Sequence, residues 1–386
     1  MSKKPASNQS NRIRRSPYYE ATVRHGATGF TVYNHMWMPT AFGAQSKTYK
    51  ALTERVTIWD TAAERQVQIK GPDAEKLMRL LTPRNLDNWR VGQCKYLLLC
   101  NRSGGVLNDP VGLKLAEDRY WLSIADADML YWAEGVAVGR DLDVTVSEPD
   151  VSPLQVQGPL ATELMRELVG EWIEGLKFFN FCKADIPTSA GDAPVIISRT
   201  GWSNERGYEL FLRDGAYGDA LWERCFELGE KYGVAPACPN QANRIEAGMV
   251  SHRADMDETV NPYELGMDRL VDIDQAQDFI GKAALRRIRD EGVRRKLVGL
   301  QIAGPGKGVG GGQLELIAPD GARGLVTSHA WSPRKKAVLA LGFAPIDHAY
   351  TGARLRALTD DGEREAIVSN LPFVITTKRQ SMPLAA

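Results

Sequence analysis

The chain has 386 residues, with 48 basic and 48 acidic side chains cancelling to a formal net charge of zero. That balance leaves no global field to attract nucleic acid or an anionic membrane surface, so any charged ligand must be recognised locally. The length exceeds what one hydrophobic core supports and implies two or three domains.

Residues 1–16, MSKKPASNQSNRIRRS, are polar, basic and aperiodic, and read as a disordered arm. From Pro17 the pattern becomes globular. RQVQIKG (65–71) alternates as a strand, and PDAEKLMRLLT (72–82) opens on Pro and Asp and repeats apolar residues at helical spacing. Residues 95–125 read as strand, turn, strand, turn, strand, with NRSGG and AED as the turns; a helix over 126–139 and a strand over 142–148 follow. The same logic then recurs as a strand over 152–159, a helix over 161–170, a hairpin over 195–212 and an amphipathic helix over 219–233. RQVQIKGPDAEKLMRLL and PLQVQGPLATELMREL each run strand, Gly-Pro, helix, which predicts two related α+β lobes with antiparallel sheets. A charged helix (283–296) leads into six short strands divided by Gly-rich turns, the pattern of a small closing β-barrel or sandwich.

Several stretches bear on chemistry. In the strand ending the hairpin, Tyr208, Leu210 and Leu212 point one way and Glu209 and Phe211 the other, which sets a carboxylate within an otherwise apolar strand. In GGVLNDP (104–110) a Gly-Gly turn delivers Asn108 and Asp109 to a strand entrance, a pattern open to plain turn chemistry as well as to catalysis. RIEAGMVSHRADMDETVNPYELG (244–266) reads as a helix start followed by a charged loop. GPGKGVGGG (304–312) lacks GxxxxGK[ST] and precedes a strand, so it predicts a hairpin loop and no phosphate cradle. None of the five histidines has a second His or Cys at ligand spacing, and no GxSxG is present, so neither a metal nor a serine nucleophile is expected. Five scattered cysteines without CxxC fit a reducing cytoplasm, and the longest apolar runs fall far short of the ~20 residues of a membrane helix. A monomer and a homodimer fit the sequence equally.

Taken in order from about Tyr18 to about Val374, GGVLND, VQGP, TGWSNERGYEL, RIEAGM, MDETVNP, DFIGKAAL, KLVGL and TSHAWSP resemble the glycine cleavage system T-protein (aminomethyltransferase) family. Within it, TVYNHM (31–36), WDTAAERQVQIKGPDA (59–74), LNDPV (107–111) and WLSIADAD (121–128) are most similar to the dimethylsulfoniopropionate demethylase branch. The resemblance implies two α+β lobes and a C-terminal β-barrel ringed around a cavity for tetrahydrofolate. The first lobe would take 17–51 and 151–245, the second 52–150 and 246–285, and the barrel 286–386. The family's pterin-binding carboxylate falls on Glu209, and its folate-contacting aromatics fall on Tyr96, Phe179 and Trp202. A carboxylate suits the fork of N–H groups on a pterin edge, and flat aromatics suit the ring.

The sequence also departs from the family. The acid pair after Gly-Gly is Asn108-Asp109, the SHM beside the folate is AAE (62–64), a tyrosine is His252, a tryptophan is Arg269, and an arginine falls on Asn240. These changes point away from aminomethyl transfer and toward a different one-carbon source. The expected activity is transfer of a methyl group from a small zwitterionic sulfonium or betaine acid to N5 of tetrahydrofolate. Asp109 and Asn108 would be the catalytic pair, with Tyr33, His35, His252 and Arg269 around the methyl donor. O-demethylation of a methoxylated aromatic acid, aminomethyl transfer and turnover-free folate binding are the competing expectations.

Overall fold

The two copies of the strand, Gly-Pro, helix pattern occupy matching places in two sheets. In one, strand Ser152–Gln157 runs through Gly158 into helix Ala161–Val169; in the other, strand Gln66–Lys70 runs through Gly71 into helix Ala74–Leu81. Both glycines have positive φ, +135° and +144°, and an added Cβ would stand 2.4 and 2.5 Å from the carbonyls of Arg55 and Asp143. Only glycine makes so tight an exit, and it folds each helix back over its own sheet.

The computed structural model describes residues 12–376. The first sheet has six strands in the order 181–188, 191–198, 207–212, 152–157, 57–60 and 235–237, antiparallel except for the last pair. One face buries Leu154, Val156, Tyr208, Leu210 and Leu212 against helices Ala161–Val169 and Gly218–Gly229. The second sheet has five strands, 145–147, 66–70, 119–123, 111–116 and 94–96, covered by helices Ala74–Leu81 and Met129–Gly139. Phe211, Ile196 and Val151 of the first lobe pack against Trp121, Leu113 and Cys94 of the second, so the inner faces of the sheets meet.

Strand Thr57–Asp60 pairs with Ser152–Gln157, and Val56, Ile58, Ala62 and Ala63 belong to the first core. The chain therefore crosses between lobes in the turn around residues 61–65, later than the expected boundary at 52, because only the first sheet completes the apolar run. The expected disordered arm is likewise shorter where it can be seen. Arg14 pairs with Glu148 at 2.8 Å, and the Ser16 hydroxyl donates to buried Asp60; residues 1–11 lie outside the described residues.

Strands 295–302, 337–345, 323–332, 314–317, 354–359 and 362–369 close into a barrel around Leu300, Leu316, Val326 and Ala340. The charged helix preceding it ends at Glu291, so Arg295 and Lys296 belong to the first barrel strand. Leu98, Val106, Met256, Leu285 and Phe343 knit the second lobe, the 250–285 segment and the barrel together. Among the described residues no helix is long and apolar enough to cross a membrane, and no group of His, Cys, Asp and Glu is placed to hold a metal.

Candidate functional site

The meeting of the two lobes and the barrel leaves a cavity of about 580 Å³, within the size range of small-molecule sites. Glu209 lies on its wall and is only 5 % exposed. Register explains its support: Gln155 and Ser198 are its direct neighbours on the flanking strands. The Gln155 side-chain amide donates to Glu209 Oε1 at 2.9 Å, and the Thr200 hydroxyl donates to Oε2. Each oxygen is thus held by one protein donor and keeps lone-pair capacity for a ligand. Burial nevertheless pushes the carboxyl up to about 7, because the two hydrogen bonds only partly offset the loss of water. At Gly207, which opens the same strand, a Cβ would stand 2.2 Å from the Gln157 side chain, so glycine is what admits that amide.

Three further carboxyls share the cavity; Glu205 pairs with Arg334 at 2.6 Å, and the other two have no such partner among the described residues. Asp109 follows strand Val106–Asn108 and precedes Pro110, and its Oδ2 accepts the Tyr96 hydroxyl at 2.8 Å. Burial raises it to about 7 despite that bond. Glu64, in the turn that joins the sheets, is raised well above the usual carboxylate range by burial first, then by Glu209 and Asp109. Glu64 and Asp109 in turn add to the burial that raises the Tyr33 phenol. No lysine or arginine among the described residues pairs with Glu64, Asp109 or Glu209.

Aromatic groups complete the walls. Trp202 is anchored through its backbone N–H to Gln155 Oε1 at 3.4 Å, the same amide that supports Glu209. Its ring lies 5.8 Å from the Arg244 guanidinium, which a buried 2.7 Å ion pair with Asp255 holds in place. Phe179 is held at φ +57° by hydrogen bonds from its N–H to Arg199 and from the Cys94 N–H to its carbonyl. A bulky residue adopts that conformation only where the surroundings enforce it, a common signature of functional sites. Phe178 packs edge-on to it at 4.8 Å and joins it in the lining. Arg199 and Arg206 also line the cavity, and among the described residues neither has an acidic partner.

Of the ten residues singled out from the sequence, Glu209, Tyr96, Phe179, Trp202, Asp109, Tyr33 and His252 line this one cavity, and three do not. Asn108 is fully buried and turns its amide onto Ala125, donating to the carbonyl at 3.1 Å and accepting the N–H at 3.0 Å. It closes a peptide-like ring between strands, which a carboxylate cannot do because it has no proton to give the carbonyl. Asn108→Asp is therefore expected to cost roughly 2–4 kcal/mol, read as a lowered Tm, while the folded fraction keeps its turnover number. His35 occupies a two-residue hairpin turn with Asn34, at φ +60° and +47°, so its side chain points to solvent and pairs with Asp128 at 3.2 Å. The turn's role is carried by Asn34, whose amide donates to Ala63 and so fixes Tyr33 beside the crossover. Arg269 is exposed on a short helical turn; it acts on Tyr96 and Arg84 through its charge from outside the lining. Glu64, Phe178, Arg199 and Arg206 went unselected, although the AAE departure (62–64) was the available signal for Glu64.

The arrangement fits tetrahydrofolate. A supported, uncompensated carboxylate suits the pterin edge, the aromatic walls suit its flat faces, and the free arginines suit the carboxylates of its tail. The GCVT N-terminal domain matches residues 18–275, and the glycine cleavage T-protein C-terminal barrel domain matches 295–374. The chain is 38% identical over 366 residues to a dimethylsulfoniopropionate demethylase of Ruegeria pomeroyi, covering 93% of this chain and 97% of that one. It is 31% identical over 373 residues to an aminomethyltransferase of Rubrobacter xylanophilus, covering 94% of each. In fold it is similar to the crystal structure of glycine cleavage system aminomethyltransferase T from Bartonella henselae, at a TM-score of 0.83 and 23% identity, covering 95% of this chain and 99% of that one. The chain belongs to the glycine cleavage T-protein family and is a tetrahydrofolate-dependent one-carbon transferase.

Proposed function

We propose that this enzyme moves a methyl group from a small zwitterionic onium acid, of the dimethylsulfoniopropionate type, to N5 of tetrahydrofolate. The observation that carries the reading is a largely apolar cavity in which three carboxyls, Glu64, Asp109 and Glu209, have no lysine or arginine partner among the described residues. A positively charged methyl donor meets that demand, whereas a methoxybenzoate brings another negative charge. Arg269, expected beside the methyl donor, stands outside the lining, so His252 is left to meet the donor's acid end. The relative acting on dimethylsulfoniopropionate supports the same choice.

Tetrahydrofolate supplies the nucleophile, a ring nitrogen that takes the methyl group and gives up one proton. Glu209 binds the pterin edge with its two supported oxygens. Trp202 and Phe179 hold the ring plane, and Arg199 and Arg206 meet the tail. Asp109 leaves Oδ1 to receive the proton, while Tyr96 keeps Oδ2 oriented. Tyr33 and His252 border the methyl donor. Such a displacement gains chiefly from alignment and exclusion of water, and a cavity between three domains supplies walls for both.

The test is incubation of the protein and tetrahydrofolate with sulfonium, betaine and methoxybenzoate compounds, with methyl-tetrahydrofolate read by mass. Product from an onium acid is expected. Product from a methoxybenzoate alone overturns the assignment.

A further inference from the structure

Glu64 lines the cavity half-buried, with its side chain turned to no basic partner among the described residues. The chain uses only its backbone: the N–H donates to the Thr61 carbonyl at 2.8 Å, and its carbonyl accepts the Gln66 amide at 2.8 Å. Among the described residues, no group donates a hydrogen bond to its carboxylate or forms an ion pair with it. Burial disfavours the ionised form of this carboxyl until a ligand supplies the counter-ion.

A second, independent feature also points to a ligand. His252 is 7 % exposed and lines the same cavity, yet neither ring nitrogen makes a hydrogen bond. The Leu107 carbonyl acts on its charge but stands outside bonding geometry. Burial and Arg253 lower its pKa, so it is a neutral imidazole with one N–H to give. An unmatched acid and an unmatched N–H, with Met38, Ile124 and Val250 among the lining residues, form a site for a molecule that is positive at one end, negative at the other and apolar between.

We propose that Glu64 is the residue that selects a charged methyl donor, its carboxylate countering the sulfonium or quaternary ammonium while His252 donates to the acid end. This rests on the methyl-transfer reading above. In the step, the bond from the positive heteroatom to the methyl carbon breaks and its electron pair stays on the heteroatom. The methyl carbon bonds to the folate nitrogen through that nitrogen's lone pair, and the nitrogen's proton passes to Asp109. The methyl donor's charge vanishes, so Glu64 attracts the substrate and not the neutral thioether or amine left behind. Because the charge is fully developed before transfer and fading during it, Glu64 acts on ground-state binding, and its loss raises KM more than it lowers kcat.

The experiment compares wild type, Glu64→Gln and Glu64→Asp, each saturated with tetrahydrofolate. Calorimetry measures binding of dimethylsulfoniopropionate and of 3-methylthiopropionate, which lacks only one methyl and the charge. Wild type is expected to favour the sulfonium by about tenfold or more, the scale of one charge pair at short range. In Glu64→Gln that ratio falls toward one and KM for the sulfonium rises about tenfold, with kcat held within about threefold. Tetrahydrofolate affinity stays at the wild-type value, Tm without ligand matches or exceeds wild type, and Glu64→Asp keeps part of the preference. An unchanged ratio in a Glu64→Gln protein with wild-type folate affinity overturns the proposal and leaves methyl transfer intact. A wild-type enzyme that uses methoxybenzoates and no onium acid overturns the underlying reading as well. If Glu64→Gln does not fold, the ratio in Glu64→Asp decides, and full wild-type preference there counts against the proposal.

Discussion

Replacing Glu209 with glutamine is expected to weaken tetrahydrofolate binding about a hundredfold, measured by calorimetry or by quenching of tryptophan fluorescence. Each hydrogen bond to a charged acceptor contributes roughly 1.5–3 kcal/mol, and the pterin edge offers two. Glutamine keeps the shape, but it replaces one acceptor oxygen with an N–H₂ that opposes a ligand N–H. The supports remain available: the Gln155 amide and the Thr200 hydroxyl both reach position 209. The loss therefore falls on the ligand and spares the fold. The variant also removes a buried negative charge that Glu64 opposes, so its Tm without ligand is expected to match or exceed wild type at pH 8. Full folate affinity in Glu209→Gln would place the pterin elsewhere in the cavity.

Asp109→Asn is expected to lower kcat by about a hundredfold to ten-thousandfold, the usual contribution of a positioned base, with tetrahydrofolate affinity changed only a few-fold. The pH profile carries the sharper signature. Asp109 accepts a proton only when ionised, and burial sets it at about 7. In wild type kcat/KM should rise about tenfold per pH unit below 7 and level off above it. Glu64, Glu209, Tyr96 and Tyr33 surround the same space and shift the midpoint together with it. In Asp109→Asn the rising limb should disappear. If the limb survives, the proton goes to another of these acids.

The architecture was legible from sequence because it rests on short-range rules. Alternation in 207–212, the Gly-Pro exits at Gly71 and Gly158, and six Gly-bounded strands at the end each have a local physical cause. The cavity was legible where a motif sits on one strand, as with Glu209, or on one turn, as with Trp202. It was not legible where two distant segments decide the outcome. Asn108 reads as a catalytic neighbour of Asp109 until Ala125, on a separate strand end, is seen to occupy its amide. His35 reads as a ligand contact until the backbone turns it outward. Glu64 is the converse case: its place depends on where the chain crosses between sheets, and an alternating pattern does not encode that crossing.

Carboxyls withdrawn from bulk water also weigh on the folding equilibrium. Asp109 and Glu209 each titrate near 7 when folded, against about 4 in an unfolded chain. The stability each adds is complete below about pH 4 and is lost as pH rises through about 7. At neutral pH the unliganded protein therefore stands below its own maximum, and ligand binding restores the difference by mass action. Scarcity of substrate would then shorten the lifetime of the protein under proteolytic surveillance, so that the same side chains that accept folate and its methyl donor also meter how much enzyme persists when neither is present.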